Sequence, residues 1–147
     1  MKSINSFSLK LPSKSANESF ARVAVASFVS QLDPTLEELS DIKTAVSEAV
    51  TNSIVHAYQN EIGTIYISAD LYEDRSVKIR IRDSGCGIEN IEQAMEPLFT
   101  TVGGERSGLG FSVMQSFMDS LRVTSKPGKG TVIVMKKRLS LRLAANG

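Results

Sequence analysis

A single cysteine, Cys86, stands in the whole chain of 147 residues. One thiol cannot pair within its own molecule, so no internal disulfide framework braces the fold, which fits a reducing compartment. An excess of one charge is also missing: 17 basic residues against 16 acidic ones leave a formal net charge of +1. That balance carries no electrostatic footprint of nucleic acid or anionic lipid. There is no apolar run of membrane-spanning length, no internal repeat and no low-complexity segment. The opening stretch, MKSINSFSLK, lacks the apolar core of a signal peptide. We therefore expect a cytoplasmic protein without direct contact to nucleic acid or membrane. What is present suits one compact core. Hydrophobic residues make up 41% of the chain, and a chain of this size buries roughly 68–70% of its unfolded surface. A single domain over 1–139 is expected, with a frayed tail over 140–147.

Along the chain, Phe7, Leu9 and Leu11 alternate with Ser6, Ser8 and Lys10 as in a half-buried strand that Pro12 ends. Asn17 is placed to cap a helix carrying Phe20, Val23, Ala24 and Phe28 on one face and stopping near Leu32. Asp33 and Pro34 open a second helix, with Asp33 as N-cap. Its buried stripe would be Leu36, Leu39, Ile42, Val46, Ala49, Val50 and Ile54. Two alternating runs, Ile65 to Leu71 and Val77 to Ile81, read as a hairpin. A glycine-punctuated region follows from Asp83 to Gly110, then a helix over Gly110 to Asp119. A last hairpin turns at Lys126 to Gly130. Every strand alternates, so one sheet face is wet and the helices cover the other. The fold class is α/β: a two-layer sandwich with a mixed, mostly antiparallel sheet.

Three short stretches carry chemistry. Glu48, Asn52 and His56 recur every four residues in the second helix and form one polar stripe beside the buried one. A solvated edge would account for such a stripe, but Asn52 is a poor mid-helix residue, and an exposed face more readily uses Lys, Glu or Arg. In DSGCG, strand parity turns Asp83 to the covered side of the sheet. Asp-Ser-Gly is ordinary turn chemistry. An inward acid nonetheless needs a partner, such as an adenine amino group, and Gly85 and Gly87 permit close packing on the backbone. In RSGLG, Gly108 and Gly110 open a helix whose free N–H groups favour a phosphate. No lysine follows, as a P-loop would require, and no parallel βαβ unit precedes, as a Rossmann fingerprint would.

Together, EAVTN from Glu48, DSGCG from Asp83 and RSGLG from Arg106 resemble the N, G1 and G2 boxes of the GHKL ATPase/kinase superfamily. NESFARV from Asn17, EPLFTT from Glu96 and ERSGLGF from Glu105 are similar to a narrower group, the anti-sigma F serine kinases of spore-forming bacteria. The resemblance implies a Bergerat-type fold that binds ATP or ADP with Mg2+. It implies Asn52 as metal ligand, Glu48 as the base for an attacking hydroxyl, and Arg106 at the γ-phosphate. Asp83, Gly85 and Gly87 would hold adenine, with Thr131 joining through water. Ser107, Gly108, Leu109 and Gly110 would cradle phosphates. The role of His56 is left between structure and catalysis. One departure is the short Val102-Gly103-Gly104 linker, which would loosen the lid around Arg106.

By the same resemblance, the partners are sigma factor F, an anti-anti-sigma factor phosphorylated on serine, and a second copy of the chain in a homodimer. Glu18 and Arg22 would contact partners, although an exposed pair at this spacing is also an ordinary weak ion pair. The alternatives are a general-stress anti-sigma kinase and a nucleotide-gated sigma-binding module without catalysis. A detached histidine-kinase domain would need a phosphoacceptor helix pair for which no length remains.

Overall fold

The computed structural model describes residues 2–95 and 110–141. Strand β1 (Ser3–Pro12) leads to helix α1 (Ala16–Val29), which tightens into a 3-10 turn at Ser30–Leu32. Helix α2 (Leu36–Thr51) runs on without a break into a π-helical segment, Asn52–Ala57. Strands β2 (Thr64–Tyr72) and β3 (Ser76–Asp83) follow, then a short helix α3 (Ile91–Met95) that the sequence pattern did not announce. Helix α4 (Phe111–Phe117) and strands β4 (Ser120–Lys126) and β5 (Gly130–Arg138) complete the chain. The sheet order is β1-β2-β3-β5-β4, and all four described pairings are antiparallel, so no parallel pair makes it mixed.

The two-layer architecture follows from strand alternation. Ile65, Ile67, Ala69 and Leu71 on β2 and Val77, Ile79 and Ile81 on β3 are buried, as expected, while their neighbours face solvent. Against that inner face pack Ile42, Ala45, Val46, Ala49 and Val50 of α2, with Phe111 and Met114 of α4. Each fully buried Ile or Val contributes about 1.5–3 kcal/mol relative to exposure.

Several local expectations are corrected. The N-cap of α2 is Thr35, not Asp33. Thr35 Oγ1 accepts the Glu38 N–H at 3.0 Å, and Glu38 Oε1 accepts the Thr35 N–H at 2.9 Å, a closed capping box. Asp33 instead sits in the left-handed region (φ 51) and ends the 3-10 turn. Asn17 lies inside α1, and its amide donates to the Pro12 carbonyl at 2.9 Å. The buried line of α1 is Ala21, Val25 and Val29, not the Phe20 and Val23 face, which is more than half exposed. This line, at i, i+4 spacing, shares the core with the buried residues of α2. Phe28 is partly buried and meets Phe7 with ring centroids 4.7 Å apart. Leu36, in the first turn of α2, is 88% exposed.

Candidate functional site

A cavity of about 200 Å3 opens where the end of α2, the loop after β3 and the start of β5 meet. Asp83 and Thr131 line it from the sheet as direct cross-strand partners. Asn52, His56 and Ala57 line it from the π-helical segment. Gly87 and Ile88 come from the loop, and Phe111 and Ile133 supply apolar surface.

Asp83 is buried, as strand parity requires. Its Oδ1 accepts the Gly85 N–H at 2.9 Å and its Oδ2 accepts the Ser53 hydroxyl at 3.2 Å. Burial pushes its carboxyl above the ordinary carboxylate range, against the lowering effect of Gly85, Ser53, the Thr131 backbone and Arg82. A buried carboxylate facing a cavity is matched by a ligand that donates, as an exocyclic amino group does. Thr131 is held from behind. Ser125 donates to the Gly130 carbonyl at 2.9 Å, and so accepts from Thr131 Oγ1 at 2.8 Å and from the Ile88 N–H at 2.8 Å. This leaves the Thr131 oxygen free to accept.

The π-helical segment carries polar residues that meet the cavity. The Tyr58 N–H reaches back five residues to the Ser53 carbonyl at 3.1 Å, one residue beyond the α-helical partner. Ser53, four residues after the buried Ala49, meets Asp83, while Asn52 and His56 line the cavity. Such bulges cluster at functional sites. His56 is half-buried, and desolvation lowers its pKa, which favours a neutral imidazole. Its carbonyl accepts the Cys86 thiol at 3.2 Å.

Glu48 is set apart from this pair. It lines a neighbouring polar groove with Arg22, Lys43, Thr44 and Ser47. The stripe of Glu48, Asn52 and His56 thus divides between two depressions. Glu48 touches the start of α4 all the same: a Cβ on Gly110 would overlap its carboxylate, and Gly110 has φ +72. The left-handed backbone is what favours glycine here, since the Glu48 side chain can swing aside. Glu18 and Arg22 adjoin the same groove. Ser47 donates to Glu18 Oε2 at 2.7 Å, and Arg22 Nε lies 3.6 Å from that oxygen. The pair is tied to α2 rather than simply exposed.

Two glycines expected to admit a ligand have a nearer reason. A Cβ on Gly85 would overlap the Ala57 carbonyl oxygen, and one on Gly87 (φ +76) would overlap the Lys126 carbonyl. Both allow the loop to press on the chain's own backbone, and Gly87 also lines the cavity. Arg106, Ser107, Gly108 and Leu109 lie outside the described residues. Among the described residues no group of three His, Cys, Asp or Glu could hold a metal alone. Asn52 offers a neutral oxygen, which fits Mg2+, an ion that keeps several waters and takes phosphate oxygens besides one or two protein ligands.

Sequence reading missed Ser53, Ser125, Phe111 and Ile133 as site residues. Ser125 was within reach, because the turn at 126–130 puts it directly opposite Thr131. Ser53 continues the buried line of Ala45 and Ala49, but nothing in the sequence paired that line with Asp83.

The chain matches the family model of the histidine kinase-like ATPase domain over residues 11–137. Solved structures share its fold. The RsbU and RsbW domains of a Mycobacterium tuberculosis protein superpose with TM-score 0.69 at 19% identity, over 94% of this chain and 33% of that one. The catalytic domain of the histidine kinase ThkA does so with TM-score 0.56 at 16% identity, over 92% and 97%. Fold and cavity thus define a histidine kinase-like ATPase domain. Within that class the chain is 59% identical to the anti-sigma F factor of Clostridium acetobutylicum, over 93% of its own length and 96% of the relative's. It is 53% identical to that of Priestia megaterium, over 92% and 94%. The chain belongs to the anti-sigma F factor family.

Proposed function

We propose that this anti-sigma factor is an ATP-dependent, Mg2+-requiring protein serine kinase that inhibits sigma factor F and phosphorylates an anti-anti-sigma factor on serine. The observation that carries this reading is the cavity that Asp83 and Asn52 share, with Glu48 one helical turn from Asn52. Asp83 receives the adenine amino group and Thr131 accepts from a bridging water. Phe111 and Ile133 pack the base. Asn52 holds Mg2+, which when bound neutralises phosphate charge. Glu48 takes the proton of the attacking serine hydroxyl as its oxygen bonds to the γ-phosphorus and the bond to the ADP oxygen breaks. Arg106 and the 107–110 backbone stabilise the charge on the transferring group.

The groove that joins Glu48 to Arg22 supports an approach of the acceptor serine along α1 and α2. Glu18 and Arg22 serve as partner contacts, and a homodimer holds one sigma factor. We infer a cytoplasmic location; among the described residues no helix is long and apolar enough to cross a membrane. Identities of 53% and 59% to anti-sigma F factors favour this reading over a general-stress kinase.

The test mixes the protein with ATP, Mg2+ and an anti-anti-sigma factor and measures phosphoserine by mass spectrometry. Glu48→Ala should keep ATP binding and lose about 10²–10⁴-fold in transfer rate. Asn52→Ala should also weaken Mg-nucleotide binding. Equal transfer by Glu48→Ala and wild type rejects Glu48 as base. Sigma capture with no phosphoserine from wild type leaves a nucleotide-gated binding module.

A further inference from the structure

The near-zero net charge conceals a segregated distribution. Lys10 of β1 and Lys78, Arg80 and Arg82 of β3 occupy outward strand positions. Arg122 of β4 and Lys136 of β5 lie on the same face by register: Arg122 and Arg80 both oppose Val134, and Lys136 opposes Lys78. The strands hold only two acids, the inward Asp83 and the outward Asp70. Among the described residues none of these six cations is in an ion pair. Many of the acids sit on α2 instead, as Glu37, Glu38, Asp41 and Glu48 do. The solvent face of the sheet is therefore a basic surface, and it repels a second copy of itself.

Three features decide what such a face accepts. Tyr66, its exposed aromatic ring, is already covered by the Arg82 guanidinium 4.0 Å from the ring centroid, so it offers no bare stacking platform for single-stranded nucleic acid. A five-stranded sheet is about 20 Å across, too wide for a major groove of about 12 Å. The arginines of β3 and β4 flank Val132 and Val134, a half-buried apolar pair on β5 between those two strands. An apolar strip flanked by cations on both sides matches a protein surface that is apolar along one line and carboxylate-rich beside it.

We propose that the outer face of the sheet docks an acidic, amphipathic segment of a protein partner, with its apolar line on Val132 and Val134 and its carboxylates on Arg80, Arg82 and Arg122. This surface is separate from the nucleotide cavity, which lies on the covered side. Partner binding there can coexist with bound nucleotide.

The probe is a fluorescein-labelled Glu/Leu peptide of about 20 residues with leucines at helical spacing. It is compared with a scrambled peptide of the same composition, an oligothymidylate, and vesicles of phosphatidylglycerol and phosphatidylcholine. Anisotropy should show the patterned peptide binding more tightly than the scrambled one and the oligonucleotide. Arg80→Glu/Arg122→Glu should weaken it about tenfold, and Val134→Ser about threefold, with ATP affinity unchanged. If the arginine double variant does not fold, Lys10→Glu/Lys136→Glu tests the exposed flanks of the same face. Peptide binding unaffected by charge reversal, or no binding, overturns the proposal. Oligonucleotide or vesicle binding that is tighter than peptide binding and lost on reversal also overturns it, in favour of a polyphosphate ligand.

Discussion

Gly85→Ala probes the contact on which the cavity depends. An added Cβ would overlap the Ala57 carbonyl oxygen and meet the Ala57 Cβ at 2.6 Å. Relief to an ordinary separation needs a shift of about 1 Å between the loop after β3 and the π-helical segment. The Cys86 N–H, 3.0 Å from the same carbonyl, would lose its hydrogen bond in that shift. Overpacking costs about 1–3 kcal/mol, and the lost bond about 0.5–1.5 kcal/mol. The total, about 2–4 kcal/mol, is a large share of a stability on the order of 5–15 kcal/mol. At roughly 3 °C per kcal/mol for a chain of this size, the midpoint should fall about 6–12 °C. The Gly85 N–H also orients Asp83 at 2.9 Å, so ATP affinity should fall with stability. Gly128→Ala is the contrast: Gly128 has a positive φ (+78), which Gly85 does not, yet nothing lies within 4 Å of its Cβ. It should cost only about 1–2 kcal/mol of backbone strain. Paired thermal melts and ATP calorimetry read both. A Gly85→Ala midpoint at or above that of Gly128→Ala would refute the packing argument.

Asp83→Asn should abolish adenine recognition and, because it removes a desolvated charge, leave the nucleotide-free protein no less stable than wild type at neutral pH. The native pKa of Asp83 is raised, so the folded state holds this proton more tightly than the unfolded state does. Its burden is absent at low pH and sets in as pH rises through the two pKa values. Urea titrations from pH 3 upward should therefore favour Asp83→Asn over wild type increasingly, and an opposite trend would reject burial as the dominant cause. Thr35→Ala should cost about 1 kcal/mol through the capping box. Glu38 also accepts the Ser140 N–H at 2.8 Å, so Glu38→Ala should exceed Thr35→Ala and loosen the chain after β5, as amide exchange at Leu139 and Ser140 would report.

Much of this protein was legible in its residue order. Alternation on β2, β3 and β5 defined which strand residues face inward, and the same parity turned Asp83 under the helices. Turn chemistry at Lys126 to Gly130 placed the last hairpin. These features are local: backbone pleat and turn geometry act over a few residues and need no distant partner. The face of α1 was misread because burial of a helix is settled by what lies beside it. Ala21 wins over Phe20 only because α2 comes close. The same holds at the site. Asn52 and His56 share a wall, Glu48 lines the next groove, and Ser53 meets Asp83, because the elements packed around α2 divide its surface between them. The basic sheet face arose the same way, from cations distant in sequence that cross-strand register gathers on one side. Periodicity and turn residues were the sequence's own contribution. Which side chains converge was decided by the packing of α2 against the sheet, because only a tertiary contact can choose between nearly equal local conformations.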